Sequence, residues 1–457
     1  MQDDLNLAYW LMAWLATALF VLVRHLRTNT SAGLLMTYVL SFGTLHALAP
    51  ALALLPWYDF PGIEVTALGL RQSVLAMAAF AAGAEIAAAM KRHEDPDGAD
   101  LMTPRHRLSG QLVTVYLLTA ALLYGVVTPL AGRLPTVGAI ASTGSTLLAV
   151  AVALKAWNAR LLGRPGLALL WMSATVAFPV ITVLSQGFLG YGFAAALIVF
   201  SLIASFSRPG LKTLIATVLL AYAGLSVYVT YMRDRGDIRS VVWGGATLED
   251  RWDQLSTTIR TTEWFDLQDQ THLDRVRGRL DQDFLVGAAI AYLDDRNVEF
   301  AYGSTIVAAA LAAIPRAVWP DKPVVAGSGD IVSTYTGIRF AEGTSIGVGQ
   351  VLEMYINFGT VGVVAGFLII GLIVAYVDRT AAVLLARGDT HRFLLWYLPG
   401  LSLLQIGGAF SEVVATAGAS FILVQVVNHL ALHLSVATET PDAGAQGPVM
   451  PADELAP

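Results

Sequence analysis

Runs of about twenty apolar residues recur along this chain. In lipid, backbone polar groups must bond within their own segment, so each run can cross the roughly 30 Å hydrocarbon core only as a helix. Eleven such runs are legible: 5–23, 33–55, 68–90, 111–131, 136–155, 166–187, 190–206, 212–231, 353–377, 392–410 and 413–434. The expectation is an all-α, polytopic integral membrane protein with about eleven transmembrane helices and one large loop. Composition agrees. Only 14% of the 457 residues are charged, where a soluble domain carries about 25%.

Lys and Arg in short loops set orientation. One side holds fourteen: Arg24, Arg27, Lys91, Arg92, Arg105, Arg107, Lys155, Arg160, Arg164, Arg208, Lys212, Arg379, Arg387 and Arg392. The other side holds two, Arg133 and Arg71. The first side is therefore expected to be cytoplasmic, with the N-terminus outside and the C-terminus inside. The acidic start Met1-Gln2-Asp3-Asp4 is unlike a cleavable signal, so the first run is expected to stay as a span. Net charge is −6, which gives no electrostatic footprint for nucleic acid. Cysteine is absent, which excludes disulfides, thiolate nucleophiles and thiolate metal sites.

Four regions follow: a membrane bundle over 1–231, a large outer loop over 232–352, a second bundle over 353–434 and a tail over 435–457. The tail is rich in Pro, Gly, Ala and acid and is expected to be disordered. Residues 232–303 hold nine Arg and fourteen Asp or Glu, which is not a polybasic lipid-binding pattern. Leu248–Arg260 and Leu273–Leu285 have the spacing of short amphipathic helices laced with ion pairs.

The stretch 300–379 concentrates candidate chemistry. An apolar run, Ser304–Ile314, leads into Pro315-Arg316-Ala317-Val318-Trp319-Pro320-Asp321-Lys322-Pro323. Three prolines stiffen this corner. An arginine fork and a lysine point charge suit a diphosphate; alternatively, Arg316 and Lys322 pair with Asp321 or Glu353. Trp319 offers a flat stacking surface. A glycine-rich loop carries Arg339 and Glu342, and Glu353 and Asn357 then share one helix face at i, i+4, with Gln350 near it. Glu353 is a candidate base, or else a carboxylate serving a helix dipole or a salt bridge. Arg71 and Glu412 lie near the outer ends of their spans and are candidates for the same cavity, although Arg71 could equally snorkel to the interface. Glu85, near the inner end, reads as a structural pairing.

Ile314–Pro323, then Glu342-Gly343-Thr344-Ser345, then Val351–Gly362 resemble the Wzy-type polysaccharide polymerases, which join O-antigen and exopolysaccharide repeat units in bacteria. Phe300-Ala301-Tyr302-Gly303, Asp378-Arg379 and, more weakly, Ser31-Ala32-Gly33-Leu34-Leu35 look like the same family. The resemblance implies a GT-C-like bundle acting at the outer face of the bacterial inner membrane. It implies a glycosyltransferase that uses undecaprenyl-diphosphate-linked oligosaccharides as donor and acceptor, with no cofactor or required metal. Arg316, helped by Lys322, Arg339 or Arg71, would stabilise the leaving diphosphate. Glu353 would take the proton, and Trp319, Asn357 and Glu412 would complete the substrate site. Besides membrane lipid, a chain-length regulator and a flippase are the partners implied. Two rivals stand beside this reading: an O-antigen ligase, which shares the bundle and large outer loop but relies on a loop histidine, and a lipid-linked oligosaccharide flippase.

Overall fold

The computed structural model describes residues 2–27, 30–94, 108, 110–127, 143–205, 211–296, 298–314, 318–319, 321, 327–340 and 346–438. Among these the secondary structure is helical, without strands. The first bundle comprises α1 (Gln2–Arg27), α2 (Leu34–His46), α3 (Leu48–Ala53), α4 (Ile63–Glu94), α5 (Gly110–Leu122, extended by a π turn), α6 (Gly144–Leu161), α7 (Pro165–Ser173), α8 (Ala177–Gln186), α9 (Gly190–Ser205) and α10 (Leu211–Trp243). The loop region holds α11 (Leu248–Arg260), α12 (Gln270–Leu280), α13 (Gln282–Arg296), α14 (Ser304–Ala312) and α15 (Ser328–Thr336). The second bundle is α16 (Gln350–Ala386), α17 (Thr390–Gly400) and α18 (Phe410–Thr438).

Seven helical stretches among the described residues are long and apolar enough to span a membrane: Asn6–His25, Ile63–Met90, Gly110–Val127, Pro165–Gln186, Ile215–Trp243, Gln350–Ala386 and Phe410–Leu430. The described parts of the other four expected spans are helical but shorter, interrupted or charged. The second divides at Ala47 into α2 and α3. The fifth carries Lys155 and Arg160, the seventh has 16 residues, and the tenth turns into a 3₁₀ segment after Pro399. Two boundaries also move. Helix α10 runs on to Trp243, so the loop's first dozen residues extend a membrane helix rather than leave it. Leu273–Leu285 is not one helix; the backbone breaks at Asp281 between α12 and α13. Helix α18 continues to Thr438, and the rest of the tail lies outside the described residues.

Helix α4 is the axis of the fold. Without a hydrophobic drive between helices in lipid, close backbone approach at small residues supplies the contact. At one end α4 crosses α13, where a Cβ on Gly69 would overlap the Asp283 carbonyl and one on Gly287 would overlap the Val65 carbonyl. At the other end it crosses α16, with the same reciprocity between Gly83 and the Leu368 carbonyl and between Gly371 and the Phe80 carbonyl. An aromatic column fills the space between α1, α2, α4 and α16. Tyr38 stacks on Phe80 at 4.4 Å, Phe42 on His46 at 4.4 Å and Phe42 edge-on to Phe367 at 5.6 Å.

The loop region is packed onto the bundle rather than suspended above it. Asp283, fully buried, accepts from His46 Nδ1 at 2.7 Å and from the Ser73 hydroxyl. Thr66 donates to Asp281 at 2.8 Å. Glu263 joins Arg233 of α10 (2.7 Å), Arg275 of α12 (2.8 Å) and His272 (3.1 Å). The bond to Arg233, with those to Arg275 and His272, draws the Glu263 carboxyl down to about 2 against the opposing effect of burial. At the opposite end of the bundle Arg24 pairs with Glu85 at 3.0 Å, the pairing expected for that glutamate. There Asp378 accepts from Ser31 Oγ (2.6 Å) and from the Ala32 and Leu34 amides (3.1 and 2.8 Å). Two sequence motifs 344 residues apart thus close on each other at the start of α2.

Candidate functional site

The expected straight passage from Glu353 into an apolar helix is corrected by the backbone. Helix α16 is interrupted at Phe358 (φ −143°, ψ 20°) and Gly359 (φ 60°, ψ −153°). The second conformation is one that glycine alone adopts without strain. At roughly 1.5 Å per residue an unbroken 37-residue helix would far exceed the hydrocarbon thickness. The break leaves a short helix, 350–357, that carries Gln350, Glu353 and Asn357.

All three of these side chains are buried and committed to the fold. Gln350 accepts from Tyr38 Oη at 2.7 Å and donates to the Leu403 carbonyl at 2.9 Å. Asn357 Oδ1 accepts from Gly303 N (2.9 Å), and its Nδ2 donates to Thr305 Oγ1 and to the Glu353 carbonyl, both at 2.7 Å. Asn357 therefore clamps the turn that begins α14, where Ala301 N also donates to the Ile356 carbonyl at 2.8 Å. Glu353 is only 1% exposed, and its Oε2 accepts from Phe410 N at 2.7 Å, at the start of α18. An anion at a helix N-terminus meets unpaired N–H groups and the positive end of the dipole. Glu353 thus takes the helix-terminus role that was its alternative in the sequence.

Glu412, in the first turn of α18, is exposed. It accepts from Ser328 Oγ of α15 at 2.8 Å and lies within electrostatic reach of Glu353. Tyr191 at the start of α9 feels both Glu412 and Arg239 of α10. The Arg239 guanidinium lies 4.3 Å from the Phe188 ring and 5.0 Å from the Trp243 ring. One turn before it, Arg235 shares its face, and both lie within electrostatic reach of Arg279 on α12. Burial lowers the affinity of the Arg279 guanidinium for its proton, and the charges of Arg235 and Arg239 lower it further. The Tyr228 hydroxyl beside Arg279 and Arg235 is buried without a hydrogen-bond partner among the described residues. Like charges gathered beside a polar group with no partner are a stabilised place for an anion.

Sequence reasoning missed Arg235, Arg239 and Arg279 because they stand in stretches that also hold acids, Arg233-Asp234-Arg235-Gly236-Asp237-Ile238-Arg239 and Asp274-Arg275-Val276-Arg277-Gly278-Arg279. The structure divides them. Arg233 and Arg275 are taken by Glu263, and Arg235 and Arg239 act electrostatically on Arg279. The i, i+4 spacing of Arg235 and Arg239 just past an apolar span was the available signal. Of the remaining sequence candidates, Arg316 and Lys322 lie outside the described residues. Trp319 is 37% exposed and Arg339 is exposed. Arg71 is exposed with its guanidinium 5.9 Å from the Trp10 ring, so the contact it makes is with α1. His272, the loop histidine, is buried, with Nε2 against Glu263 and Nδ1 accepting from Asp266 N at 3.1 Å. Compared with protein-family models, with characterised proteins and with solved structures, the chain matches none.

Proposed function

We propose that this chain is a membrane glycosyltransferase of the Wzy kind: a polymerase joining undecaprenyl-diphosphate-linked oligosaccharide repeat units at the outer face of a bacterial inner membrane. In this reading the four shorter helical segments complete eleven crossings, the N-terminus lies outside and the C-terminus inside. The sequence resemblance supports the class. The observation that carries the reading is a set of arginines within electrostatic reach of one another, Arg235 and Arg239 on one face of α10 and Arg279 on α12, with Arg239 and Glu412 both acting on Tyr191.

The chemistry needs two things. An acceptor hydroxyl oxygen bonds to the donor's anomeric carbon, while the carbon–oxygen bond to diphosphate breaks and the diphosphate leaves with the electron pair. The arginines hold that developing charge, with Arg316 and Lys322 of the proline corner as further cations. Ala313, three residues before Arg316, lies in van der Waals reach of Gly418 on the helix that carries Glu412. The hydroxyl proton goes to a carboxylate. Glu412 is exposed and suited to that step, and Glu353 behind it positions the start of α18. The engaged state of His272 disfavours the ligase alternative, which relies on a free loop histidine.

Purified protein in proteoliposomes with a lipid-diphosphate-linked repeat unit tests this. Wild type is expected to build a ladder of products. Glu412→Gln is expected to fold normally and lose extension by at least about 100-fold, the usual range for a general base. A full ladder from Glu412→Gln would end the assignment of the base, and no ladder from wild type would end the polymerase reading.

A further inference from the structure

The turn that leads into α14 is bent the wrong way for the residue it carries. Ser304 N donates to the Ala301 carbonyl at 2.9 Å and closes a four-residue turn. Both central residues have positive φ, 46° at Tyr302 and 86° at Gly303. That is the pattern of a type I′ turn, whose central positions favour Asn, Asp and Gly. A tyrosine is strained there, because its Cβ crowds the backbone in the left-handed region. Among the described residues Tyr302 is the one non-glycine in that region. The surrounding fold enforces the turn. Asn357 holds the Gly303 amide, and the Ile356 carbonyl holds the Ala301 amide.

Burial does not offset this strain, since Tyr302 is 70% exposed. The ring stands in a group. Phe300 meets Tyr302 edge-on at 6.4 Å and Tyr355 at 6.2 Å. Phe358, 50% exposed, lies over Gly303, where a Cβ would sit 3.1 Å from its ring. Phe300 lies over Gly359 in the same way, at 3.5 Å. The turn and the break in α16 thus meet under one aromatic surface. Strained backbone persists only where its surroundings over-determine it, and it gathers at binding and catalytic sites. An aromatic anchor at a lipid boundary would not require it, because an unstrained turn can expose a ring equally well.

Carboxylates rim the surface. Asp294, Asp295 and Glu299 are exposed on the segment that enters the turn, alongside Arg296, and Asp294 lies within electrostatic reach of Tyr355. Their net charge disfavours a phosphate. An aromatic face is negative and attracts polarised C–H groups, while carboxylates accept from hydroxyls. A pyranose ring offers both, C–H groups on a face and hydroxyls around its edge. We propose that Tyr302 and Phe358, with the Asp294 and Glu299 carboxylates, form a platform that binds an uncharged pyranose ring of a glycan, apart from the arginines assigned to diphosphate. The choice of a glycan as occupant rests on the glycosyltransferase reading. Helix α14 runs from this platform to Ala313, beside Gly418 on the helix that carries Glu412.

Tyr302→Asn tests the assignment. Asparagine suits the turn and lacks the ring. The variant is expected to melt at or above the wild-type temperature in nanodiscs and to bind glycan at least about 10-fold more weakly, as loss of a tyrosine anchor does. Tyr302→Phe keeps the ring and is expected to stay closer to wild type than to Tyr302→Asn. The probe is the repeat unit of the proteoliposome assay, freed of lipid and diphosphate by mild acid. The readout is saturation transfer from protein to the sugar C–H protons. Equal affinity in wild type and Tyr302→Asn would overturn the proposal. So would a Tyr302→Asn protein that melts well below wild type, since the ring would then be a packing group. A wild-type ladder without saturation transfer to the free unit ends the platform alone. Saturation transfer without a ladder ends the polymerase reading alone, and absence of both ends both.

Discussion

Asp283→Ala isolates what holds the loop region on the bundle. The Asp283 side chain is 0% and the His46 side chain 1% exposed, and they meet at 2.7 Å. Ser73 donates to the same Asp283 oxygen, and His46 Nε2 already lacks a partner among the described residues. Removing the carboxylate leaves a buried imidazole with only the Ser73 hydroxyl, 2.9 Å from Nδ1. Breaking a buried pair from one side costs about 3–5 kcal/mol, roughly two to four decades in the folded-to-unfolded ratio. Replacing both members with apolar residues removes the stranded group. His46→Phe with Asp283→Leu should therefore recover most of the loss, the His46 ring being already stacked on Phe42 at 4.4 Å. Equilibrium unfolding in lipid nanodiscs, followed by tryptophan fluorescence, reads both variants. Asp283→Ala within about 0.5 kcal/mol of wild type would refute the reasoning, since surface substitutions fall in that band. A double variant no better than the single one would show that packing, and not the stranded imidazole, sets the loss.

Asp281 gives a pH signature. Burial, and then the Asp283 charge, push its carboxyl up to about 7, above the unfolded value of about 3.9. Its contribution is thus full below about pH 4 and is lost as pH rises through about 7. Asp281→Asn should gain stability relative to wild type between pH 5 and pH 8, and a constant difference across that range in thermal melts would contradict this. Asn357→Ala strands the Gly303 amide at a cost of about 1–3 kcal/mol. Hydrogen exchange at Gly303 and through the first turn of α14 should rise by one to two decades. Gly83→Val drives a side chain into the Leu368 carbonyl, and size-exclusion profiles should show loss of folded protein. Gly166→Ala, where a Cβ meets nothing within 4 Å, should behave as wild type in the same assay.

The apolar runs told most of the architecture because lipid leaves the backbone one solution. They overstated its regularity. Hydropathy does not register the loss of helical geometry at Ala47 or Gly359, since the flanking residues stay apolar. At the site, sequence spacing put Glu353 and Asn357 on one face and the fold keeps them there, but as ties to Phe410 and Gly303. The arginines of α10 and α12 were hidden for an electrostatic reason. Alternating charges along a chain look self-neutralising, and only the fold shows that Glu263 serves Arg233 and Arg275 while Arg235 and Arg239 come within electrostatic reach of Arg279.

The most direct measurement is binding of a short-chain undecaprenyl-diphosphate analogue to protein in nanodiscs, in wild type and in Arg235→Gln, Arg239→Gln and Arg279→Gln. Each charge-assisted hydrogen bond carries about 1.5–3 kcal/mol, so each single variant should weaken binding by roughly 10- to 100-fold, and a monophosphate lipid should bind less tightly than the diphosphate. Equal affinity for wild type and all three variants would contradict the account at its centre.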